Sequence, residues 1–176
     1  MNVWIVAIDH FLQLSRAESD SDKLRAQKEH LEAILQAGIS EWQIDFIAEE
    51  SIVGGATIAL DLANINSPAI PWINIIMTHD ERDAVGIREA LDNRPGGPDW
   101  ETMTYWIEQR VPEDDVREDF FVERTLSQAQ NARSVLMILG DMHVEAVGEK
   151  LRQRGYTVTT NHELCPVKRW EDIRDC

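Results

Sequence analysis

Short apolar runs alternate along the chain with stretches in which apolar residues recur at helical spacing. Continuous runs of this length, rich in β-branched residues, are typical of strands that are buried on both faces of a sheet. They predict strands over residues 3–8, 44–48, 72–77, 134–139 and 156–160. The connections between the runs are long enough for crossovers, so the pattern predicts a mainly parallel sheet of about five strands with helices on both faces, a three-layer α/β sandwich.

Polar start signals and glycine stop signals set the limits of the predicted helices. The sequence Ser19-Asp20-Ser21-Asp22 favours the start of the first long helix, and Gly38 is predicted to end it. Pro112 and the acids after it predict a helix to about residue 131, since carboxylates favour the positive end of the helix dipole. Other helices are predicted with Ile52, Ala56, Leu60 and Ala63 on one face, over residues 81–91, and from the fourth strand to residue 154.

Residues 1–176 are predicted to form a single α/β domain, because no repeat or low-complexity linker divides them. Residues 92–111 interrupt the alternation with a proline- and glycine-rich turn followed by Trp100, Tyr105 and Trp106. We interpret this stretch as an irregular insertion. Its aromatic side chains are either a lid or substrate wall, or an anchor that holds a long connection to the core.

The composition limits the classes of partner that the protein is expected to bind. The 32 acidic residues outnumber the 17 Lys and Arg residues and give a net charge of -15. Such a surface repels nucleic-acid backbones and anionic membranes, so neither is expected as a partner. Cys165 and Cys176 are interpreted as free thiols, and the first apolar run reaches Asp9 too soon for a signal peptide. The sequence therefore predicts a cytoplasmic protein, and it predicts no oligomeric state.

Ionisable residues follow four of the predicted strands. In an open parallel sheet, ligands bind in the crevice outside the carboxyl ends of the strands. The residues at these ends are Asp9-His10, Glu49-Glu50, His79-Asp80 and Asp141-Met142-His143. Each end supplies a group that can move a proton or hold a metal, so we predict a functional site at this edge of the sheet.

Several of these residues also have structural explanations. Asp80 and Asp141 are candidates for helix N-caps, and one of the two glutamates suits the first turn of a helix. On the helix after Pro112, Glu123 is predicted to face the core with Arg124 at its border. This Glu-Arg pair either ties the helix to the sheet or orients the strand-end residues, and both interpretations stay open.

Short motifs in the chain resemble a known superfamily. Gly140-Asp141-Met142-His143 is a G-x-x-H motif, and the helix after it leads to an L-x-x-x-G-Y-x-V ending at residues 151–158. These motifs, with Glu49-Glu50 and Glu123-Arg124, resemble the TraB/Tiki and erythromycin-esterase-like superfamily, which includes the ChaN haem-binding proteins. The first motif departs from the pattern, since Ala7 stands where that superfamily has glycine. The resemblance implies a hydrolase, with or without a metal, that uses His and Glu to activate water.

The leading hypothesis is hydrolysis of a small-molecule or peptide substrate in the strand-end crevice. The predicted catalytic residues are His10, Glu49, Glu50, Arg124 and His143. One histidine acts as general base while a glutamate fixes its tautomer, and the arginine stabilises an oxyanion or pairs with a substrate carboxylate. If a divalent metal is the cofactor, its candidate ligands are His10, Glu49, Glu50 and His143.

Two other functions fit the same residues. Asp9, Asp80, Asp141 and a glutamate at 49 or 50 resemble the acidic cluster that holds Mg²⁺ or Mn²⁺ in PIN-type nucleases, although the net charge argues against a nucleic-acid substrate. The lost glycine of the first motif and the small size of the chain favour instead a non-catalytic module that binds a small ligand such as haem.

Overall fold

The computed structural model describes residues 1–8, 10–17, 20–51, 56–87 and 112–164. Within them lie the strands β1 (Asn2–Ile8), β2 (Phe46–Glu49), β3 (Trp72–Asn74), β4 (Ser134–Gly140) and β5 (Thr157–Asn161). The helices are α1 (His10–Gln13), α2 (Asp22–Glu41), α3 (Ile58–Ile65), α4 (His79–Ala84), α5 (Pro112–Gln128) and α6 (Asp141–Gln153). Predictions about the 92–111 insertion, Asp9, Ile52, Cys165 and Cys176 fall outside the described residues.

The five strands form one sheet in the order β3-β2-β4-β1-β5, and every pair in it is parallel. The prediction of a parallel sheet is confirmed. Ile8 lies opposite Gly140, and the N–H of Glu50 donates to the carbonyl of Ile138 at 2.9 Å. The carboxyl ends of β1, β2 and β4 therefore lie next to one another at one edge of the sheet. The residues that follow these strands are close together for this reason.

Alternate residues of the central strands bury against helices on opposite faces of the sheet. Val3 and Ile5 lie on the face covered by α5 and α6, whereas Trp4 and Val6 lie on the face covered by α2 and α3. Both faces are apolar, as expected for strands with continuous hydrophobic runs. This confirms the three-layer arrangement. None of the described helices is long and apolar enough to cross a membrane.

The third strand is shorter than predicted, since β3 ends at Asn74. The carboxamide of Asn74 takes the place of further backbone hydrogen bonds between the two strands. Its oxygen accepts from the N–H groups of Ser51 and Ile76, and its nitrogen donates to the carbonyl of Ser51 at 2.8 Å. A side chain that satisfies these backbone groups removes the need for further strand pairing.

The structure identifies the caps of three helices and corrects the caps predicted for two of them. Thr57 caps α3, which begins at Ile58, and the start of the predicted face at Ile52 lies outside the described residues. Thr78 caps α4 in a capping box with Glu81, so the predicted cap at Asp80 is wrong. Asp141 is the first residue of α6 and not its cap; its carboxylate contacts His162 at 3.0 Å. The caps of α3 and α4 are thus threonine hydroxyls, and Gly140, the last residue of β4, stands at the N-cap position of α6.

Gly38 does not end α2, as the sequence predicted, because the helix continues to Glu41. A Cβ atom at Gly38 would overlap the indole ring of Trp4, which is buried on β1. The missing side chain lets the helix approach the sheet closely. Packing between two elements, and not the end of one, therefore explains this glycine.

Replacing Gly38 by alanine is expected to lower the free energy of unfolding by about 2 kcal/mol, because overpacking at the Trp4 ring outweighs the better helix propensity of alanine. Gly148→Ala is the matched control within α6. The nearest atoms to a Cβ there belong to the flexible end of Arg152, at 3.3 Å, so a gain of up to about 1 kcal/mol is expected. Urea unfolding of both variants measures the difference, and equal effects would contradict the packing explanation.

Candidate functional site

Three strand ends bring His10, Glu50 and His143 together. The carboxylate of Glu50, which is only 1% exposed, lies between the two imidazole rings. Its Oε2 is 3.9 Å from Nε2 of His10, and its Oε1 is 3.8 Å from Nε2 of His143. The candidate site is therefore built from the ends of β1, β2 and β4, as the order of the strands requires.

Two further groups hold the Glu50 carboxylate in place. The backbone N–H of Gly140 donates to Oε2 at 3.0 Å, and Nη2 of Arg117 donates to Oε1 at 3.1 Å. Arg117 also pairs with the buried Asp114 at 3.4 Å. A buried carboxylate is stable only when it is paired and hydrogen-bonded. Arg117 and Gly140 meet this requirement for Glu50.

His143 is buried on α6 and held from two sides. Its Nδ1 lies 3.2 Å from Oε1 of the buried Glu118, and its ring packs edge-to-face with Phe121 at a centroid distance of 5.6 Å. With Nδ1 held by Glu118, Nε2 is the ring atom that faces Glu50. The orientation of this imidazole is thus set by α5.

His10 is the more accessible of the two imidazoles, with 28% of its side chain exposed. Its Nδ1 contacts Oε1 of Gln13 at 2.9 Å. A Cβ atom at Gly140 would lie 2.8 Å from Nε2 of His10 and 3.4 Å from Oε2 of Glu50. Glycine at position 140 therefore allows the imidazole, the carboxylate and the end of β4 to meet.

The geometry of these groups favours proton transfer through water. Separations of 3.8 and 3.9 Å are too long for direct hydrogen bonds. A water molecule that bridges two polar groups can take the place of a direct hydrogen bond between them. Each imidazole nitrogen faces a different oxygen of the Glu50 carboxylate, and an imidazole held beside a carboxylate can orient a water molecule and accept its proton.

Glu49 does not reach this cluster, although it precedes Glu50 directly. Its carboxylate accepts hydrogen bonds from Oγ1 of Thr57 and Nε1 of Trp72, both at 2.7 Å, on the face of the sheet covered by α2 and α3. Burial raises the pKa of Glu49 to about 7, and the two hydrogen bonds only partly oppose this. Successive side chains of a strand point to opposite faces, which separates the two glutamates.

Arg124 also lies away from the cluster. Its guanidinium donates to the carbonyl of Ile76 at 3.0 Å, pairs with Glu81 and lies 4.2 Å over the ring of Phe120. It therefore ties α5 to the segment that follows β3. The arginine that contacts Glu50 is Arg117, seven residues earlier on the same helix.

The prediction that Glu123 faces the core is wrong. Its side chain is 66% exposed and pairs with Arg154 at 2.6 Å. The buried glutamate of α5 is Glu118, which lies on one line with Phe121 and Val122. A helical face drawn through these two buried apolar residues identifies Glu118 at spacings of three and four.

Three residues of the site were missed from the sequence: Gln13, Arg117 and Glu118. For Glu118, the sequence signal was its spacing of three residues from Phe121, which places both on one face of α5. Gln13 follows His10 by three residues, and a predicted turn of helix after β1 would have placed them side by side. The pattern over residues 10–13 is too short to predict such a helix.

The carboxylates proposed for a nuclease-type cluster lie apart in the described residues. Asp80 is exposed on α4, and Asp141 pairs with His162. In the ranges that the structure describes, no group of three or more His, Cys, Asp or Glu side chains is arranged to hold a metal ion. The structure thus brings together His10, Glu50 and His143, and it places Glu49 and Arg124 elsewhere.

No protein-family model, curated protein or solved structure matches this chain. The resemblance to the TraB/Tiki and erythromycin-esterase-like superfamily accordingly stays a prediction from its motifs.

Proposed function

We propose that the protein is a hydrolase that activates water between His10, Glu50 and His143. The observation that carries the proposal is that two imidazoles contact one buried carboxylate, one at each of its oxygens. The two imidazoles present their Nε2 atoms to the two oxygens of the buried Glu50 at 3.9 and 3.8 Å. An isolated histidine beside an acid is common in proteins, whereas two that share one buried carboxylate at a strand-end crevice are suited to acid–base chemistry.

In the proposed reaction, the water oxygen attacks a substrate carbonyl while its proton passes to Nε2 of His10. His10 is assigned this role because it is the more exposed imidazole. Glu50 stabilises the imidazolium that forms. When the tetrahedral intermediate collapses, the bond to the leaving group breaks, and a proton from the imidazolium is delivered to that group. His143, on the other side of Glu50, supports this transfer.

Arg117 takes the role that the sequence assigned to Arg124. Its side chain is 25% exposed, so its guanidinium contacts Glu50 and also reaches solvent. A guanidinium has five N–H donors, and those not used for Glu50 and Asp114 are available to an oxyanion or a substrate carboxylate. Esters and amides of small molecules or peptides are the substrate class that fits this chemistry.

The superfamily resemblance is part of the proposal. Its G-x-x-H motif supplies two atoms that approach Glu50, the backbone N–H of Gly140 and Nε2 of His143. The two positions named by the motif therefore have a physical role at one carboxylate. This supports kinship of mechanism, with haem or another small ligand as the alternative occupant of the site.

A panel of chromogenic esters and peptide anilides tests the proposal. His10→Asn and His143→Asn are each expected to lower kcat/KM by about 10²-fold or more, the usual contribution of a positioned general base. His30→Asn is the control, because His30 is an exposed residue of α2 that pairs with Glu163. Wild-type rates in both site variants, or no activity of the wild-type protein on the panel, would count against a hydrolase.

Absorbance and metal analysis of the purified protein separate the alternatives. A Soret band would favour a haem-binding module, and a divalent metal bound in stoichiometric amount without hydrolysis would favour a different metal-dependent reaction. Turnover of an ester or amide that depends on His10 and His143 supports the hydrolase.

A further inference from the structure

Gln13 is a buried residue with two partners that both belong to the candidate site. It is 1% exposed and closes the short helix α1. Its Nε2 donates to the backbone carbonyl of Glu50 at 2.7 Å, and its Oε1 lies 2.9 Å from Nδ1 of His10. One carboxamide thus joins the end of β2 to the first imidazole.

The first of these contacts determines which way the carboxamide points. A backbone carbonyl only accepts hydrogen bonds, so the group that faces Glu50 must be the amide nitrogen. The amide oxygen then faces His10. Since this oxygen also only accepts, Nδ1 of His10 must be the donor of the second hydrogen bond.

A neutral imidazole carries a proton on one nitrogen only. If Nδ1 of His10 holds that proton, Nε2 has a free lone pair. Nε2 is the atom that faces Oε2 of Glu50 and lies against Gly140. The same nitrogen is the one to which the proposed hydrolysis assigns the proton of water.

We propose that Gln13 is a positioning residue that fixes His10 in its Nδ1-protonated tautomer. The reading of Nε2 as a catalytic base rests on the proposed function, whereas the tautomer itself follows from hydrogen bonding alone. Because Gln13 is also bound to the backbone carbonyl of Glu50, it ties the imidazole to the residue that carries the carboxylate. A neutral amide does this without adding a further negative charge beside Glu50, unlike the Glu118 carboxylate at His143.

Long-range ¹H–¹⁵N correlation spectra of the histidine rings test the tautomer without a substrate. At about pH 9, where ordinary histidines are neutral, His10 is expected to show a protonated, pyrrole-like Nδ1 and an unprotonated, pyridine-like Nε2. Assignment comes from the loss of its signals in His10→Asn. A pyridine-like Nδ1 in the wild-type protein would overturn the proposal, whatever the hydrolytic activity proves to be.

A variant of Gln13 tests whether this residue determines the tautomer of His10. Gln13→Met keeps the length of the side chain and removes its acceptor, so the His10 signals are expected to shift towards those of the Nε2-protonated form while the His143 signals stay unchanged. Gln36→Met, at an exposed position of α2, should change neither. An unaltered His10 tautomer in a folded Gln13→Met protein would exclude Gln13 as its determinant.

Activity gives an independent readout. Where a substrate is known, Gln13→Met is expected to lower kcat by at least about tenfold, as for other residues that orient a functional histidine. Loss of the tautomer with unchanged kcat would contradict the catalytic role of Nε2 and leave the tautomer assignment standing. Failure of the hydrolase proposal and failure of the Gln13 proposal are therefore distinguishable.

Discussion

Replacing Glu50 by alanine is expected to lower the free energy of unfolding by about 3 kcal/mol. The substitution removes one of the two buried carboxylates that pair with Arg117 and leaves the N–H of Gly140 without its acceptor. Removal of one member of a buried ion pair costs about 3–5 kcal/mol, and the lower value is expected because Arg117 reaches solvent. Urea unfolding at neutral pH, followed by circular dichroism, measures the change.

Two control variants test whether the loss of stability comes from the buried charge of Glu50. Glu50→Gln retains an acceptor for Gly140 but not the charge that faces Arg117, so its effect should be smaller than that of alanine. Glu123→Ala removes a glutamate from an exposed pair with Arg154, and such pairs contribute about 1 kcal/mol or less. If Glu50→Ala were no more destabilising than Glu123→Ala, Glu50 would not be the centre of a buried charge network.

The stability of the protein is expected to depend on pH through Glu49. Burial raises the pKa of its carboxyl from an ordinary 4.5 to about 7 in the folded chain. Between these two values the folded protein holds a proton that the unfolded chain has released. The contribution of Glu49 is therefore fully present below about pH 4.5 and is lost as the pH rises through 7. The loss is on the order of 3 kcal/mol, since a tenfold change in proton affinity corresponds to about 1.4 kcal/mol.

Glu49→Gln isolates this effect, because its amide does not titrate and its oxygen still accepts from Thr57 or Trp72. We expect the free energy of unfolding of the wild-type protein, relative to this variant, to fall between pH 5 and pH 8. Urea unfolding at each pH measures the difference, in which the titration of all other groups cancels. Parallel pH profiles for the two proteins would show that Glu49 does not hold its proton in the folded state.

The strands β1, β2 and β4 were predictable because they lie in the middle of the sheet, where they are buried on both faces. A strand buried on both faces must be apolar along its length, and such a run is visible without knowledge of its neighbours. The length of the connections then favours parallel pairing, because it leaves room for crossovers. The position of β4 between β2 and β1 was not predictable, since no local pattern encodes which strand is adjacent to which.

Glycines and helix faces were harder to interpret. Gly38 reads as a helix end because glycine favours such ends, but its neighbour in space is Trp4, 34 positions earlier in the chain. Along α5, Val116 reads as a core position and is exposed, whereas Glu118 reads as polar surface and is buried. A hydrophobicity pattern does not predict which charged residues are buried, because their burial depends on partners from other elements.

The sequence by itself determined that ionisable groups follow the strands and that these ends share one edge of a parallel sheet. It identified His10, Glu49, Glu50 and His143 in this way, and it placed Arg124 on the helix after Pro112. Only the tertiary structure decided which of them meet. On a strand with two apolar faces, nothing local tells which glutamate faces which layer of helices, and the packing of α5 selects Glu50 and supplies an arginine two turns from the expected one.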